Sequence, residues 1–458
     1  MAEGPMIAPI FKTAVWGLSD DIFNWINWSF FYSKNLNTRS GAREISLNKR
    51  LSKNTATVIT EKINAIIKTS TNKMLAFWEN WGIYWKDTTT RAKISSNTPA
   101  TKIYSAIEYN EYVYWTTSTQ LHRIKVSDLS GDIKSKEAKD WHTLENSDYY
   151  PMLVSMWDLY IWHAGMIGRI DPSNVFEDTI TMDSTGMIKI INDLWGSIRV
   201  ITISSVGNSK IYLWDWITKA PDQTIPLKWY DIRQSEIYNG YNYLITNKGI
   251  GVLDGYKIYP LKNTDVFNDN IGSITIHNEK LCIWGKGGIY TYGAENKNYP
   301  ESLVFDYQTS MAWDNDEIGA IFSDWVDLYV SRKNTTDWNT TYGIDLLSSE
   351  YYSEWELITR GYFANDLNQV KEWIRLILGY KELVGSEEIV ISYAVDWWAW
   401  EEIAELDKDT VLRNKFTEEV VFSSWDFQYI QFKIKLKWDS TTTPKFYSMD
   451  LVFNNINR

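Results

Sequence analysis

Residues 279–292 read Glu-Lys-Leu-Cys-Ile-Trp-Gly-Lys-Gly-Gly-Ile-Tyr-Thr-Tyr. A short apolar run is followed by a polar, glycine-rich turn and then by a second run that opens on Gly-Ile. Two such runs on either side of a glycine turn are typical of a β-hairpin. The stretch therefore predicts two antiparallel strands, and the chain's single cysteine, Cys282, is expected to be a buried thiol in the first of them.

The same hairpin unit recurs along most of the chain. It is found at 74–77 with 82–84, 111–114 with 120–124, 158–161 with 165–170, 210–213 with 224–227, 242–245 with 249–253, and 327–330 with 342–346. The markers Leu75, Val113, Leu159, Tyr212, Leu244, Leu281 and Leu328 are spaced on average by about 42 residues, which is the spacing of propeller repeats. Apolar runs at 63–67, 188–191 and 273–276 precede hairpins and are expected to be innermost strands. The pattern predicts an all-β fold with a β-propeller of about seven blades over residues 54–348, and six or eight blades also fit the uneven spacing of the markers.

The region from 349 to 458 has longer strands with strict alternation, as in Ile430, Phe432, Ile434 and Leu436. This pattern predicts a separate C-terminal β-sandwich. Residues 1–53 are expected to be an extended N-terminal segment, one strand of which closes the propeller by pairing with the last blade. The stretch 367–378 fits a helix or a buried strand equally well.

Tryptophan is unusually frequent, with 25 residues, and eight of these follow Asn or Asp directly. A tight turn prefers Asn-Gly or Asp-Gly, because its central residues need a positive φ that glycine adopts without strain. One hypothesis is that UGA codons are read as glycine in the source and that many of these residues are glycine in the native product. Trp16 and Trp400 are expected to be tryptophan in either case. The alternative hypothesis keeps the tryptophans as exposed platforms that stack glycans, with Trp81, Trp157, Trp284 and Trp325 along one rim.

Composition limits the function classes. The formal net charge of −12 argues against a nucleic-acid partner, because phosphate binding needs a basic field. No internal disulfide can form from one cysteine, and neither a signal peptide nor a membrane-inserted segment is evident. We therefore expect folding in a cytoplasm.

No residue pattern predicts catalysis, a cofactor or a metal site, and the sequence predicts a protein that is not an enzyme. His122, His142, His163 and His277 lack metal-ligand spacing and are expected to be strand or surface residues. The run Gly285–Gly288 is expected to be a hairpin turn, and the acidic run Asp314–Glu317 a solvated loop. The segment Asp396–Trp400 resembles an Asp-box hairpin, which is structural.

The C-terminal motifs resemble those of bacteriophage tail and virion structural proteins. They are the strand 389–396 with Ala399 and Trp400, the alternating strand 431–436, and the Thr-Pro entry at 441–446. A repeated glycine-turn propeller ahead of a sandwich is similar to tail-nozzle and tail-tip proteins. The resemblance implies a structural virion protein of the tail, tip or baseplate, whose partners are other virion proteins and which is able to form a ring homo-oligomer. Two alternatives remain: a propeller that binds or cleaves host-surface glycans, and a cellular propeller scaffold.

Overall fold

The computed structural model is nearly all β-strand in its described part, where a 3-10 turn also occurs at Val126–Asp128. It describes residues 6–11, 17–18, 29–33, 36–37, 45–53, 59, 61–78, 82–86, 91–95, 102–129, 138–145, 150–163, 165–182, 186–194, 197–204, 209–215, 217–254, 257–263, 274–285, 288–294, 301–309, 317–336, 339–359, 361–362, 370–396, 399–410, 417–421, 426–438 and 443–456.

Seven four-stranded sheets follow one another along the chain. Sheet 1 is β7 (Ile63–Lys68), β8 (Met74–Trp78), β9 (Gly82–Lys86) and β10 (Arg91–Ser95). Sheet 2 is β11 (Ala106–Tyr109), β12 (Tyr112–Thr116), β13 (Gln120–Lys125) and β14 (Ala138–Thr143). Sheet 3 is β15 (Met152–Ser155), β16 (Asp158–His163), β17 (Met166–Ile170) and β18 (Phe176–Thr181). Sheet 4 is β19 (Gly186–Leu194), β20 (Ser197–Ser204), β21 (Ser209–Trp214) and β22 (Gln223–Leu227).

The remaining three sheets have the same design. Sheet 5 is β23 (Ile232–Tyr238), β24 (Tyr241–Thr246), β25 (Gly249–Asp254) and β26 (Lys257–Asn263). Sheet 6 is β27 (Ile274–His277), β28 (Lys280–Gly285), β29 (Gly288–Gly293) and β30 (Ser302–Gln308). Sheet 7 is β31 (Glu317–Ser323), β32 (Leu328–Thr336), β33 (Asn339–Tyr351) and β6 (Lys49–Lys53), so its fourth strand comes from the N-terminal segment.

The first strands of these sheets form a closed ring. Each first strand contacts the first strand of the next sheet, from β7 through β11, β15, β19, β23 and β27 to β31, and β31 contacts β7 again. A ring of small antiparallel sheets joined through their inner strands is a β-propeller. The predicted propeller of seven blades is confirmed, and so are the three predicted inner strands, which are β7, β19 and β27.

The second strand of a sheet is buried on both faces because it packs against two neighbouring sheets. In β8, Leu75 and Phe77 belong to the apolar cluster shared with sheet 2. The alternate residues Met74, Ala76 and Trp78 belong to the cluster shared with sheet 7. Successive side chains of a strand point to opposite faces, so one apolar run of five residues fills two gaps of the ring.

The contact between sheets 7 and 1 closes the ring. Ile63 of β7 is buried, and its carbonyl oxygen accepts a hydrogen bond of 3.1 Å from the Ser331 hydroxyl of β32. Gly319 of β31 approaches so closely that an added Cβ would lie 1.8 Å from the same carbonyl oxygen. Glycine is therefore required at position 319 for the two sheets to meet.

Two further sheets have the buried alternation of a β-sandwich. One contains β1 (Met6–Phe11), β41 (Phe446–Ile456), β35 (Val370–Tyr380) and β38 (Thr417–Val421), with β39 (Asp426–Phe427) beside β35. The other contains β2 (Gly17–Leu18), β3 (Ser29–Ser33), β34 (Glu354–Thr359), β40 (Ile430–Lys437), β36 (Glu388–Val395) and β37 (Glu401–Leu406). A separate pair is β4 (Leu36–Asn37) with β5 (Ser46–Leu47).

The predicted alternation of β40 is confirmed. Ile430, Phe432, Ile434 and Leu436 are fully buried, whereas the intervening lysines form ion pairs on the other face. Lys435 contacts Glu354 at 2.8 Å, and Lys437 contacts Glu388 at 2.8 Å. Cross-strand pairs of opposite charge are compatible with a solvated sheet face, and each contributes little to stability.

The chain forms two compact units. One contains Met1–Ser52, Gly288–Ser310 and Leu347–Arg458, and the other contains Lys53–Gly287 and Met311–Leu346. All seven first strands of the ring belong to the second unit. The N-terminal strand β1 pairs with the C-terminal strand β41, so the sandwich uses both ends of the chain.

One sequence marker lies on the wrong strand. The hairpin at 210–213 with 224–227 is the third and fourth strand of sheet 4, not the second and third. The second strand is β20, where Val200 and Ile201 are both fully buried. Replacing Tyr212 by Val200 makes the spacing from Leu159 to Leu244 nearly even. The ambiguous stretch 367–378 is a strand, β35, in its described part.

Replacing Gly319 by Ala is expected to lower the free energy of unfolding by about 3 kcal/mol, because the new methyl group collides with a backbone oxygen that cannot move aside. Gly343→Ala is the matched control, since its nearest contact is the Arg332 guanidinium at 3.0 Å. The control is expected to cost about 1 kcal/mol. Chemical denaturation of both variants measures the difference, and equal losses would contradict the contact between sheets 7 and 1.

Candidate functional site: the turn face of the ring

The first strands all end on the same side of the ring, which we call the turn face. It is defined by the C-terminal ends of β7, β11, β15, β19, β23, β27 and β31. Strands in each sheet are antiparallel neighbours, so the turn between the first and second strands and the turn between the third and fourth both lie on this face.

A ring of hydrogen bonds joins each sheet to the next at the turn face. We call it the inter-sheet ring. Its links, in order from sheet 1, are the Ser70 hydroxyl to Glu108 (2.5 Å), the Tyr109 hydroxyl to the Trp157 carbonyl (2.7 Å), Ser155 to Asp193, the Asn192 amide to Ser235 (2.6 Å), the Tyr238 hydroxyl to the Glu279 carbonyl (2.6 Å), His277 to Ser323 (2.8 Å), and Lys68 to Asp324 (2.5 Å). All seven junctions are therefore bridged by a polar contact in or next to the first strands.

His277 is held neutral within this ring. Its Nε2 accepts a hydrogen bond from the Asn278 side-chain amide at 3.0 Å, so Nδ1 carries the proton and donates it to the Ser323 hydroxyl. Burial lowers the pKa of His277, and the nearby charges of Asp324 and Asp327 oppose this only in part. The imidazole is a structural link between sheets 6 and 7.

Asp324 links sheet 7 to sheet 1 and also shapes its own turn. Its Oδ1 accepts the backbone N–H groups of Asp327 at 2.7 Å and Val326 at 3.2 Å. Burial alone would raise the pKa of Asp324, but the hydrogen bonds from Lys68 and from these two N–H groups lower it overall. The carboxylate therefore stays ionised and paired near neutral pH.

Exposed apolar side chains occur on the turn face of several sheets. They are Met156, Trp157 and Val175 of sheet 3, Ile217 of sheet 4, Tyr241 of sheet 5, and Trp325 and Val326 of sheet 7. Sheet 3 carries three of them, and both of its turns are hydrogen-bonded to sheet 2. The Trp157 carbonyl of the first turn accepts the Tyr109 hydroxyl, and the second turn contacts sheet 2 through Pro172 and Asn174. Asn110 donates to the Pro172 carbonyl at 2.7 Å, and the Tyr114 hydroxyl contacts Asn174 at 3.0 Å. This corner is fixed in position and available for contacts.

The four tryptophans of the glycan-stacking hypothesis differ in their exposure to solvent. Trp157 and Trp325 are on the turn face and are 86% and 83% exposed. Trp284 is only 3% exposed, because it lies inside β28 and packs in the core, so it cannot stack on a sugar. Trp81 lies outside the described residues. Trp157 and Trp325 belong to sheets 3 and 7, which are not neighbours in the ring, so at least two other sheets lie between the two indoles on this face.

The histidines lie in strands, as predicted, and His163 has the most elaborate environment. Its Nε2 lies 2.9 Å from Asp178 Oδ1, and its Nδ1 accepts the Glu145 backbone N–H at 3.4 Å. Both nitrogens are thus engaged, so the ring has no free nitrogen with which to act as a base. His142 stacks on Phe176 at 3.7 Å between ring centroids, and burial lowers its pKa.

Other charged groups in the core also have structural partners. Arg332 and Asp345 form a fully buried ion pair within sheet 7, with Nε 3.0 Å from Oδ1. Burial raises the pKa of Glu236 on β23 to about 7, although the Ile237 N–H opposes this. In the described ranges, no group of three or more His, Cys, Asp or Glu side chains is arranged to hold a metal ion.

Asp396 confirms the structural interpretation of the Asp-box-like turn. It has a φ of 46°, and its Oδ1 accepts the backbone N–H groups of Gln428 at 3.1 Å and Tyr429 at 2.8 Å. Cys282 is buried, as predicted. Trp397 and the acidic residues 314–316 lie outside the described residues.

These features define the class: an all-β protein with a seven-bladed propeller and two further, sandwich-like sheets. Among the described residues, no helix has the length and apolar character needed to cross a membrane. No protein-family model matches the sequence, and no curated protein matches it.

Three solved structures are similar in fold to this chain. A streptogramin B lyase has 12% identity and a TM-score of 0.44, with 65% of this chain and 97% of that chain covered. Selenomethionine-substituted virginiamycin B lyase from Staphylococcus aureus has 13% identity, a TM-score of 0.45, and coverage of 64% and 98%. A catalytically inactive variant of the same lyase with quinupristin has 12% identity, a TM-score of 0.48, and coverage of 65% and 99%. The likeness concerns the fold alone.

The neutral His277 predicts a loss of stability in acid. The unfolded chain takes up a proton on His277 below about pH 6.5, whereas the buried imidazole of the folded protein resists protonation. The contribution of His277 to the free energy of unfolding is therefore fully present above about pH 6.5 and is lost as the pH falls from there through the lower pKa of the folded state. His277→Asn keeps a donor for Ser323 and is expected to flatten this dependence, at a cost of about 1 kcal/mol at neutral pH.

Urea denaturation at several pH values between about pH 7 and pH 5 measures the effect. Ser323→Ala is the control, because it breaks the same link but leaves a buried imidazole, so it is expected to keep the acid loss. An unchanged acid loss in the His277→Asn variant would show that His277 does not cause it.

Proposed function

We propose that this protein is a non-enzymatic structural component of a phage virion, located in the tail, tail tip or baseplate. It acts through contacts with other virion proteins and with copies of itself. The observation that carries the proposal is the closed ring with a polar link at every junction, because an assembly part must keep its shape while its faces contact neighbours. The resemblance of the C-terminal motifs to virion proteins supports the same role.

The use of the titratable side chains supports a structural role. His163, His277, Asp324 and the pair Arg332–Asp345 each hold two strands or two sheets together. A catalytic base needs an uncommitted nitrogen or carboxylate oxygen within reach of a substrate. These groups are committed to hydrogen bonds, and we assign them to rigidity.

The negative charge supports selective assembly. A net charge of −12 keeps free copies apart in solution, and association then depends on faces that offer complementary contacts. The turn face has exposed apolar residues on sheets 3, 4, 5 and 7 and is our candidate for such a contact.

Glycan binding at a host surface is the second candidate function. The specific observation in its favour is the exposure of the Trp157 and Trp325 indoles on the turn face. Aromatic platforms of this kind stack on apolar faces of sugars. Because the two indoles lie on sheets 3 and 7, each would act as a separate, shallow subsite.

The virion proposal is tested with particles released from cells that express the gene. Particles are purified on a density gradient, and the protein is measured by quantitative mass spectrometry in each fraction. We expect it to sediment with the particles in a fixed ratio to the capsid protein. Recovery only at the top of the gradient, apart from intact particles, would contradict the proposal.

The glycan candidate is tested on the same preparation with host-surface polysaccharide. If glycan stacking is the function, the double variant Trp157→Ala, Trp325→Ala is expected to lose polysaccharide binding while still folding. Tight polysaccharide binding by a protein that is absent from particles would favour this second candidate.

A further inference from the structure

Three tryptophans have a backbone conformation that an indole does not favour. Among the described residues, Trp157, Trp229 and Trp325 have φ values of 75°, 73° and 75°. Positive φ is ordinary for glycine and tolerated by Asn and Asp, but for a bulky side chain it is an outlier. Most other non-glycine residues with positive φ in the described part are Asn or Asp.

The same three side chains gain nothing from burial. They are 86%, 78% and 83% exposed, respectively. A tryptophan normally stabilises a protein by burying its large apolar surface. Here the backbone is in the left-handed region and most of each indole surface remains exposed, so burial in the core does not explain the residue.

A glycine occupies the equivalent position in another sheet. The turn Met156-Trp157 joins the first two strands of sheet 3, and Asn239-Gly240 joins the first two strands of sheet 5. Trp157 and Gly240 have almost the same φ, 75° and 79°. Sheets 2 and 6 have Glu111 and Glu279 there, with φ of 67° and 58°, so a side chain is tolerated, but a large apolar one is found only at Trp157 among these four turns.

Other tryptophans are held by their surroundings. Trp141 follows Asp140, as in a turn, yet it lies within β14. The Arg123 guanidinium lies 4.2 Å from its ring centroid, and the Tyr114 ring meets it edge-on at 5.7 Å. The Lys433 ammonium lies over the Trp400 ring, 4.9 Å from the ring centroid. Cation–π contacts of this kind need an aromatic ring.

We infer that positions 157, 229 and 325 are glycine in the polypeptide that the native host makes, and that positions 141 and 400 are tryptophan. The codons at the first three are UGA, and the partner that this requires is a glycine-charged tRNA whose anticodon pairs with UGA. The gene is therefore expressed faithfully only in a cell with that tRNA. The inference stands independently of the proposed virion role.

A consequence concerns the turn face. With glycine at 157 and 325, the two exposed indoles that favour glycan stacking are absent from the native protein. The turns of sheets 3 and 7 then become glycine turns, as in sheet 5, and their backbone lies open to a partner surface. Contact through backbone and small side chains replaces contact through aromatic rings on this face.

The coding DNA and native peptides test the inference directly. We expect UGA at positions 157, 229 and 325, UGG at positions 141 and 400, and peptides of the native protein with glycine at the first three positions. Peptide mass spectrometry of protein from its own host distinguishes the two residues by their large mass difference. UGG codons, or tryptophan-containing peptides, at 157, 229 and 325 would overturn the inference.

Stability measurements on the tryptophan-containing protein provide a second test. Trp157→Gly, Trp229→Gly and Trp325→Gly are each expected to raise the melting temperature by about 2 °C, because each relieves a strained positive φ. The control Trp141→Gly is expected to lower it by about 5 °C, because it removes a packed ring. Losses at 157, 229 and 325 equal to that of the control would contradict the structural argument.

Discussion

The packing of sheet 7 against sheet 1 is the contact on which the rest of the ring depends. Each sheet buries its faces only by packing against the two sheets beside it, so an open ring would expose one face of sheet 1 and one face of sheet 7. Gly319 permits the close approach, and the cluster around Ile63 and Ala320 fills the gap. At the turn face, Lys68 and Asp324 bridge the same junction. Closure thus combines apolar burial with a charged link.

The inter-sheet ring repeats one structural solution with different chemistry. The links use hydroxyl groups, carboxylates, an amide, an imidazole, an ammonium group and backbone carbonyls, yet every link joins the first strand of one sheet, or the turn that follows it, to the same part of the next sheet. A repeat architecture needs each interface to hold, because its stability is close to a sum of neighbour terms. The variety explains why no short sequence motif marks these residues.

Much of the fold could be predicted from local pattern. Hairpins such as Glu279–Tyr292 have a short apolar run on each side of a glycine turn, and that signal is contained within 14 residues. In sheet 4 the apolar and aromatic run that includes Tyr212 lies on the third strand, β21, and not on the second strand, β20. The sequence marker for this sheet was therefore placed one strand too late. The pairing of β1 with β41 joins residues from opposite ends of the chain, and no local pattern reports it. The prediction that Trp284 is exposed on a rim is wrong, because this indole lies within a buried strand next to Ile283 and packs in the core.

The proposed structural role rests on how the polar groups are used. His163 and His277 would attract attention in an enzyme, but each is saturated by hydrogen bonds that hold sheets together. The sequence alone could exclude metal motifs, yet it could not show this saturation, because the partners Asp178, Glu145 and Ser323 are brought to these histidines only by the pairing and packing of strands. The Trp-rich turns, in contrast, were visible from sequence and acquired physical meaning from their φ values.

Amide hydrogen exchange followed by mass spectrometry tests ring closure most directly. In a closed ring, β7 and β31 have neighbours on both sides, so their amides are expected to exchange as slowly as those of β15 and β23. Opening of the ring would free the two terminal sheets first. Much faster exchange in β7 and β31, with β15 and β23 still protected, would contradict the closed ring.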